Sequence, residues 1–209
     1  GCTMFAVIVN PVSGGGEAVR LAIRISERIA AMGQESRLFE TSGDGDAARQ
    51  TRAAVEAGCE AVVCIGGDGT ICEAAGELCH RDATFYVVPG GTGNDFARAF
   101  HLPKDPMAAF ESQLAGEPIQ IDCGRMNGKS FLNVSGSGFD VAVLGKTEEL
   151  KAGFPGGKGY RKAGASVLGR YKAVEAGLRI DGGGETPEGW PLRGNWEGPS
   201  FRGRHTRGA

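Results

Sequence analysis

AVVCIGGDGT, residues Ala61–Thr70, together with the ICEAAGEL that follows, decides how this chain folds. Ala61–Ile65 is a short apolar run rich in β-branched residues, the pattern of a parallel strand buried on both faces. It ends in Gly66-Gly67-Asp68-Gly69-Thr70, after which apolar residues recur at helical spacing through Ile71, Ala74, Ala75 and Leu78. A strand that breaks into glycines and resumes as a helix is how an α/β protein seats a phosphate. The glycines admit a ligand to the backbone, and the helix N-terminus presents N–H groups and a partial positive charge. A carboxylate at Asp68 would repel that phosphate unless a divalent cation, or a proton to be removed, lies between them. The plainer alternative makes Asp68 an N-cap and the glycines a tight turn. A P-loop is excluded because no Gly-Lys-Ser/Thr follows, and the dinucleotide fingerprint fails because Cys72 stands where its third Gly or Ala belongs.

The same grammar recurs on either side. Phe5–Val9 predicts a buried strand running into Asn10-Pro11-Val12-Ser13-Gly14-Gly15-Gly16. A helix over Glu17–Met32 follows, with Val19, Ala22, Ile23, Ile25 and Ile29 at spacings of three and four. Arg37–Thr41 predicts a second strand, and a helix from about Asp46 to Ala57 is closed by Gly58. Downstream, Ala83–Val88 predicts a fourth strand. It ends in PGGTGNDFAR (Pro89–Arg98), where Asn94 or Asp95 caps a short helix, and Met107–Leu114 is a further helix. The order β-α-β-α-β-α-β-α implies a doubly wound parallel sheet with helices on both faces and ligands at the carboxyl ends of the strands. The loops after Val9, Phe39, Ile65 and Val88 all fall at those ends, which makes of them one phosphate-binding crevice.

From Pro118 the pattern changes. Ile119–Cys123 and Ser130–Val134 flank Asn127-Gly128, the strongest short hairpin signal, and open an antiparallel region. A short helix over Val141–Leu150, a basic glycine-rich loop over Lys151–Lys162, an amphipathic helix over Arg161–Ala176 and a strand beginning at Leu178–Ile180 follow. Gly189–Ala209 has almost no aliphatic residues and no periodicity, and is expected to be disordered or read out of frame. The domains are thus 1–117, an α/β nucleotide-binding unit; 118–188, the start of a β-rich unit whose sandwich is incomplete; and 189–209, a tail.

Composition narrows the function. The 209 residues suffice for one domain with a sizeable core, and a net charge of −2 argues against nucleic acid as a partner. None of the six cysteines forms a C-x-x-C pair, which predicts free thiols in a reducing cytoplasm. No run approaches the roughly 20 apolar residues of a membrane span, and Phe5–Val9 is too short and lacks the basic flank of a signal peptide.

With NPVSGGG, GGDGT and PGGTGNDFAR in this order, the sequence resembles the diacylglycerol kinase catalytic-domain family, which includes sphingosine kinases and bacterial lipid kinases and is related more distantly to NAD kinases and phosphofructokinases. The resemblance covers about Phe5 to Glu188. It implies an ATP:lipid phosphotransferase, cytoplasmic or at a membrane surface, whose second domain carries the lipid, with a second copy of the chain, in a homodimer, as a candidate partner. By the same analogy ATP is the phosphate donor, held by Asn10, Ser13, Gly14, Gly15, Thr41, Gly66, Gly67, Asp68, Gly69, Thr70, Ile71, Cys72, Thr92, Gly93 and Asn94. Asp68 carries the catalysis, and Asp68, Asp95 and Asp122 organise Mg²⁺. Two departures stand out: Cys72 replaces the usual Asn, and the late acidic residue proposed as general base has no match in Gly189–Ala209. The alternatives implied are a non-catalytic or truncated nucleotide-binding fragment and an NAD kinase-type enzyme.

Overall fold

Apolar runs become strands and the amphipathic stretches between them become helices, close to where the sequence puts them. The computed structural model describes residues 3–11, 16–132, 134–136, 146, 166–167, 175–178, 186–189 and 195–197. The chain divides into two compact units, residues 1–133 and 134–209. The first unit runs β1 (Met4–Val9), α1 (Glu17–Ala31), β2 (Glu35–Glu40), α2 (Asp46–Glu56), β3 (Ala61–Gly66), α3 (Asp68–Leu78), β4 (Thr84–Pro89), α4 (Asp95–Ala99) and α5 (Pro106–Leu114). A hairpin of β5 (Gly124–Met126) and β6 (Lys129–Phe131) follows.

Strands β1 to β4 form one parallel sheet in the order β2-β1-β3-β4. Its two central strands are buried on both faces, as parallel sheets require: Ala6–Val9 and Val62–Ile65 are wholly inaccessible. Side chains alternate across it. Phe5, Val7, Val9, Val63 and Val88 pack under Ala22, Ile25 and Ile29 of α1 and Phe110 of α5. Ala6, Ile8, Val62, Cys64 and Val87 face α2, α3 and α4, meeting Ala47, Ala54, Ile71, Ala74 and Phe96. The buried stripe of α1 is Ala18, Ala22, Ile25 and Ile29. Ile23, expected on the inward face, is 51% exposed, since it lies about 100° round the helix from Ala22.

Helix α5 begins where Pro106 follows Asp105, whose carboxylate accepts the Ala108 N–H at 2.8 Å. On its last turn Gln113 reaches back to the sheet margin. The Val87 N–H donates to Gln113 Oε1 (2.9 Å), and Gln113 Nε2 donates to Val87 O (2.8 Å) and to Ala109 O (2.8 Å). The side-chain amide thereby stands where a neighbouring strand's peptide would stand.

The hairpin turns on Asn127 and Gly128, at φ of 50° and 80°, both positive as a type I′ turn needs. Its strands are shorter than expected, the first lying later in the chain and the second beginning one residue earlier. Ile119–Cys123 is not a strand: Ile121 packs with the Cys64–Phe96 cluster while Ile119 stays 68% exposed.

In the second unit the described strands are antiparallel, β7 (Val134–Gly136) with β10 (Asn195–Glu197), and β8 (Glu175–Leu178) with β9 (Thr186–Gly189). Strand β8 begins inside the stretch expected to end a helix, so the strand expected from Leu178 lies further upstream. Within the stretch expected to be disordered, Gly189 ends β9 and Asn195–Glu197 instead pairs through its backbone with β7. The rest of that stretch, the Lys151–Lys162 loop and all but residue 146 of the Val141–Leu150 helix lie outside the described residues.

Candidate functional site

The sheet order places a topological switch between β1 and β3, whose following connections leave in opposite directions, and ligands bind at such a point. A cleft of about 460 Å³ opens there. Asn10 lines it after β1, residues 41–44 after β2, and Gly67, Gly69, Thr70 and Glu73 at the start of α3. The loops are tied down at each strand end: Asn10 N–H donates to Ile65 O (3.2 Å) and Thr41 N–H to Val9 O (2.9 Å). Across the cleft, Gly45 N–H donates to Glu73 Oε1 at 2.9 Å. Asp46 Oδ2 accepts from both the N–H (2.7 Å) and the hydroxyl (2.9 Å) of Ser42. Those two bonds, the backbone one foremost, hold the Asp46 carboxyl below the usual carboxylate range, with help from Arg49.

The first intrahelical bond of α3 runs from Ile71 N–H to Gly67 O (3.0 Å), so the preceding N–H groups of Asp68, Gly69 and Thr70 make none within the helix. Gly69 and Thr70 present theirs at the cleft, at the positive end of the helix dipole. A second hollow of about 520 Å³, lined by Thr3, Gln34, Glu60, Asp82 and Tyr86 among others, lies at the amino ends of the strands. Helix C-termini face that end of a parallel α/β sheet, so it disfavours an anion.

Asp68 does something the sequence does not announce. Gly67, in extended conformation, stands at the N-cap of α3 and no side chain caps that helix. Asp68 instead caps α4: its Oδ1 accepts from Asp95 N–H (2.7 Å) and Phe96 N–H (3.3 Å). This requires the GGDG and PGGTGND loops to lie backbone against backbone. Gly90 N–H donates to Gly66 O at 2.9 Å, and a Cβ on Gly91 would stand 2.6 Å from the Gly67 Cα. Asn94, left-handed at φ 51°, closes its own loop by accepting from Gly91 N–H (3.0 Å) and donating to Gly91 O (2.8 Å). Asp68 Oδ2 and Asp95 Oδ1 both turn toward Gly93, at 2.8 and 3.9 Å from where its Cβ would be, and Asp95 also pairs with Arg98.

Of the residues singled out by sequence, the structure thus brings Asn10, Thr41, Gly67, Gly69 and Thr70 to one cleft. Thr92, Gly93 and Asn94 belong to the adjoining loop, and Gly66 is covered by the Thr70 side chain. Ile71 is core, and the Cys72 sulfur meets the Leu132 backbone N–H, so neither lines the cleft. Ser13, Gly14 and Gly15 lie outside the described residues. Ser42, Asp44 and Glu73 were missed. Glu73 follows Gly69 and Thr70 at helical spacing, which was the available signal. Asp122 is exposed ahead of β5, and among the described residues no three His, Cys, Asp or Glu side chains gather as a metal group. The chemistry of Mg²⁺ still suits Asp68, since this ion commonly takes one or two carboxylates and completes its shell with water and phosphate oxygens.

Comparison with known proteins agrees with this geometry. Residues 4–126 match the family described as "Diacylglycerol kinase catalytic domain". The chain is 29% identical over 178 residues to a diacylglycerol kinase of Staphylococcus carnosus, and 30% identical over 177 residues to one of Staphylococcus epidermidis. These alignments take in 84% of this chain but 58% and 56% of the relatives, so the chain spans little more than half their length. A crystal structure of a diacylglycerol kinase from Bacillus anthracis str. Sterne superposes with a TM-score of 0.57 at 25% identity, covering 68% of this chain and 52% of that one. Among the described residues no helix is long and apolar enough to cross a membrane.

Proposed function

Because the chain belongs to the diacylglycerol kinase catalytic-domain family, we propose that it holds ATP for transfer of the γ-phosphate to the hydroxyl of a lipid, diacylglycerol or a close relative, at a membrane surface. In that reaction the lipid oxygen forms a bond to the γ-phosphorus, the bond to the bridging oxygen breaks, and ADP leaves as the hydroxyl proton is lost. Phosphoryl transfer asks for positioning and charge neutralisation more than for covalent chemistry. The observation that carries this reading is the cleft at the switch point, with the N-terminus of α3 as one wall. Gly69 and Thr70 N–H groups take phosphate oxygens, while Thr41, Asn10 and the Glu73 and Asp44 carboxylates offer partners to nucleoside hydroxyls and amino groups. Asp68 fixes the neighbouring loop through α4 and turns its second oxygen toward the same region. Mg²⁺ bound with the nucleotide at Asp68, with Asp95 beside it, would neutralise phosphate charge.

Gly69→Asp tests this directly. A side chain at Gly69 meets nothing within 4 Å, and Asp is favoured in a first helical turn, so folding is retained. The new carboxylate faces the phosphates. The unaltered chain should give a binding heat with Mg-ATP that Gly69→Asp abolishes, with both proteins showing the same circular dichroism. Label from γ-labelled ATP should pass to diacylglycerol in vesicles. A folded, unaltered chain that gives no heat with ATP refutes the reading.

A further inference from the structure

The loop between β2 and α2 forms one wall of the cleft, yet the core does not hold it. Ser42, Gly43 and Asp44 line the cleft and all three are exposed. Side chains from two helices hold the loop instead. Asp46, in the first turn of α2, turns one carboxylate oxygen back over it: Oδ2 takes both donors of Ser42, four residues earlier. Its other oxygen, Oδ1, accepts from Arg49 Nε at 2.6 Å. The Asp46 N–H donates to Gly43 O at 3.2 Å, which closes the turn between them. At the far end of the loop Glu73 of α3 takes the Gly45 N–H. Asp46 is only 7% exposed and does not itself line the cleft, so its carboxylate serves the loop and not a ligand.

Building on the nucleotide reading of this cleft, we propose that Asp46 is a positioning residue for the nucleoside: by fixing Ser42 it presents the flanking Thr41 hydroxyl and Asp44 carboxylate already in place. The Asp44 carboxylate repels phosphate, so this wall meets the nucleoside end of the ligand. The phosphate end is served by the Gly69 and Thr70 N–H groups, which the geometry of α3 holds without help from Asp46. An exposed loop left unpinned has to be ordered when the ligand arrives, and that ordering is lost from the affinity. Asp46 removes this cost before binding.

The test compares Asp46→Ala, which frees Ser42, with Asp46→Asn, which keeps a side-chain oxygen able to accept from it. In calorimetry with Mg-ATP, Asp46→Ala should bind roughly 5- to 30-fold more weakly, the cost of ordering about one residue on binding. Asp46→Asn should recover most of that loss. The loss should fall on ATP and spare tripolyphosphate, which needs only the α3 end of the cleft. Hydrogen exchange without ligand should show the Ser42 amide faster in Asp46→Ala, and the Thr41 amide, bonded to Val9 O, unchanged. Undiminished affinity of Asp46→Ala for ATP, an equal loss for ATP and tripolyphosphate, or no recovery in Asp46→Asn overturns the proposal. An unaltered chain that gives no heat with ATP removes the nucleotide reading itself, and this proposal with it. Should Asp46→Ala not fold, Ser42→Ala decides, since it deletes the hydroxyl bond alone. A roughly 2- to 10-fold weaker binding of ATP is then expected, and undiminished binding overturns the proposal.

Discussion

Replacing Asp68 separates its two tasks. Its Oδ1 accepts the first two N–H groups of α4 from a loop 27 residues earlier in the chain. Asp68→Asn keeps an acceptor oxygen there and loses the charge; Asp68→Ala loses both. Loss of an N-cap acceptor costs about 1 kcal/mol, and loss of a negative charge at a helix N-terminus a further ~0.3–1 kcal/mol. Asp68→Asn should therefore destabilise by about 0.5 kcal/mol and Asp68→Ala by about 1.5 kcal/mol, the latter lowering the melting temperature by roughly 3–6 °C. Urea titrations measure the two differences. Hydrogen exchange at the Asp95 and Phe96 amides locates them, and both amides should exchange faster in Asp68→Ala. Phosphotransfer should fall in both variants if the second oxygen serves the phosphates. Equal stability losses in the two variants, or unchanged exchange at Asp95 and Phe96, would refute the cap.

Gly91→Ala drives a methyl to 2.6 Å from the Gly67 backbone, so the two loops must part. A loss of about 1–3 kcal/mol by urea midpoint is expected, with weakened ATP binding by calorimetry. Gln113→Leu strands the Val87 N–H and C=O and should cost about 1–3 kcal/mol, seen as a lower urea midpoint at unchanged slope. Asp46 has its folded pKa depressed below the ordinary 3.8 by Ser42, so its contribution to stability is present above that value and disappears as pH falls through the folded value. Melting temperatures of Asp46→Asn and the unaltered chain should therefore differ near pH 7 and converge under strong acid.

The sheet and its helices were legible because parallel strands buried on both faces leave continuous apolar runs, as Phe5–Val9 and Ala61–Ile65 do. The Asn127-Gly128 turn was legible because only such residues accept positive φ in succession. Ile119–Cys123 misled because alternation marks a strand only when one face is buried in common, and here Ile121 goes inward while Ile119 stays exposed. In the site, glycines signalled close approach without naming the partner. That Gly91 lies on Gly67, and that Asp68 serves α4 rather than α3, depends on contacts between loops far apart in sequence, which no local pattern encodes. Ile71 and Cys72 were grouped with the nucleotide residues by adjacency in a motif, whereas on a helix successive residues point about 100° apart.

Gln113 bears on how this fold behaves in a crowded, concentrated solution. An exposed strand margin is a template on which another chain can lay itself down, the first step of edge-to-edge aggregation. At β4 the donor and acceptor of Val87 are already taken by a side chain from the same molecule, and Pro89 at the strand's end brings no N–H to offer. One amide on a helix therefore acts as a stopper on that margin. Its removal would do more than weaken the fold: it would open a site of nucleation, and turbidity growing with protein concentration would be its sign.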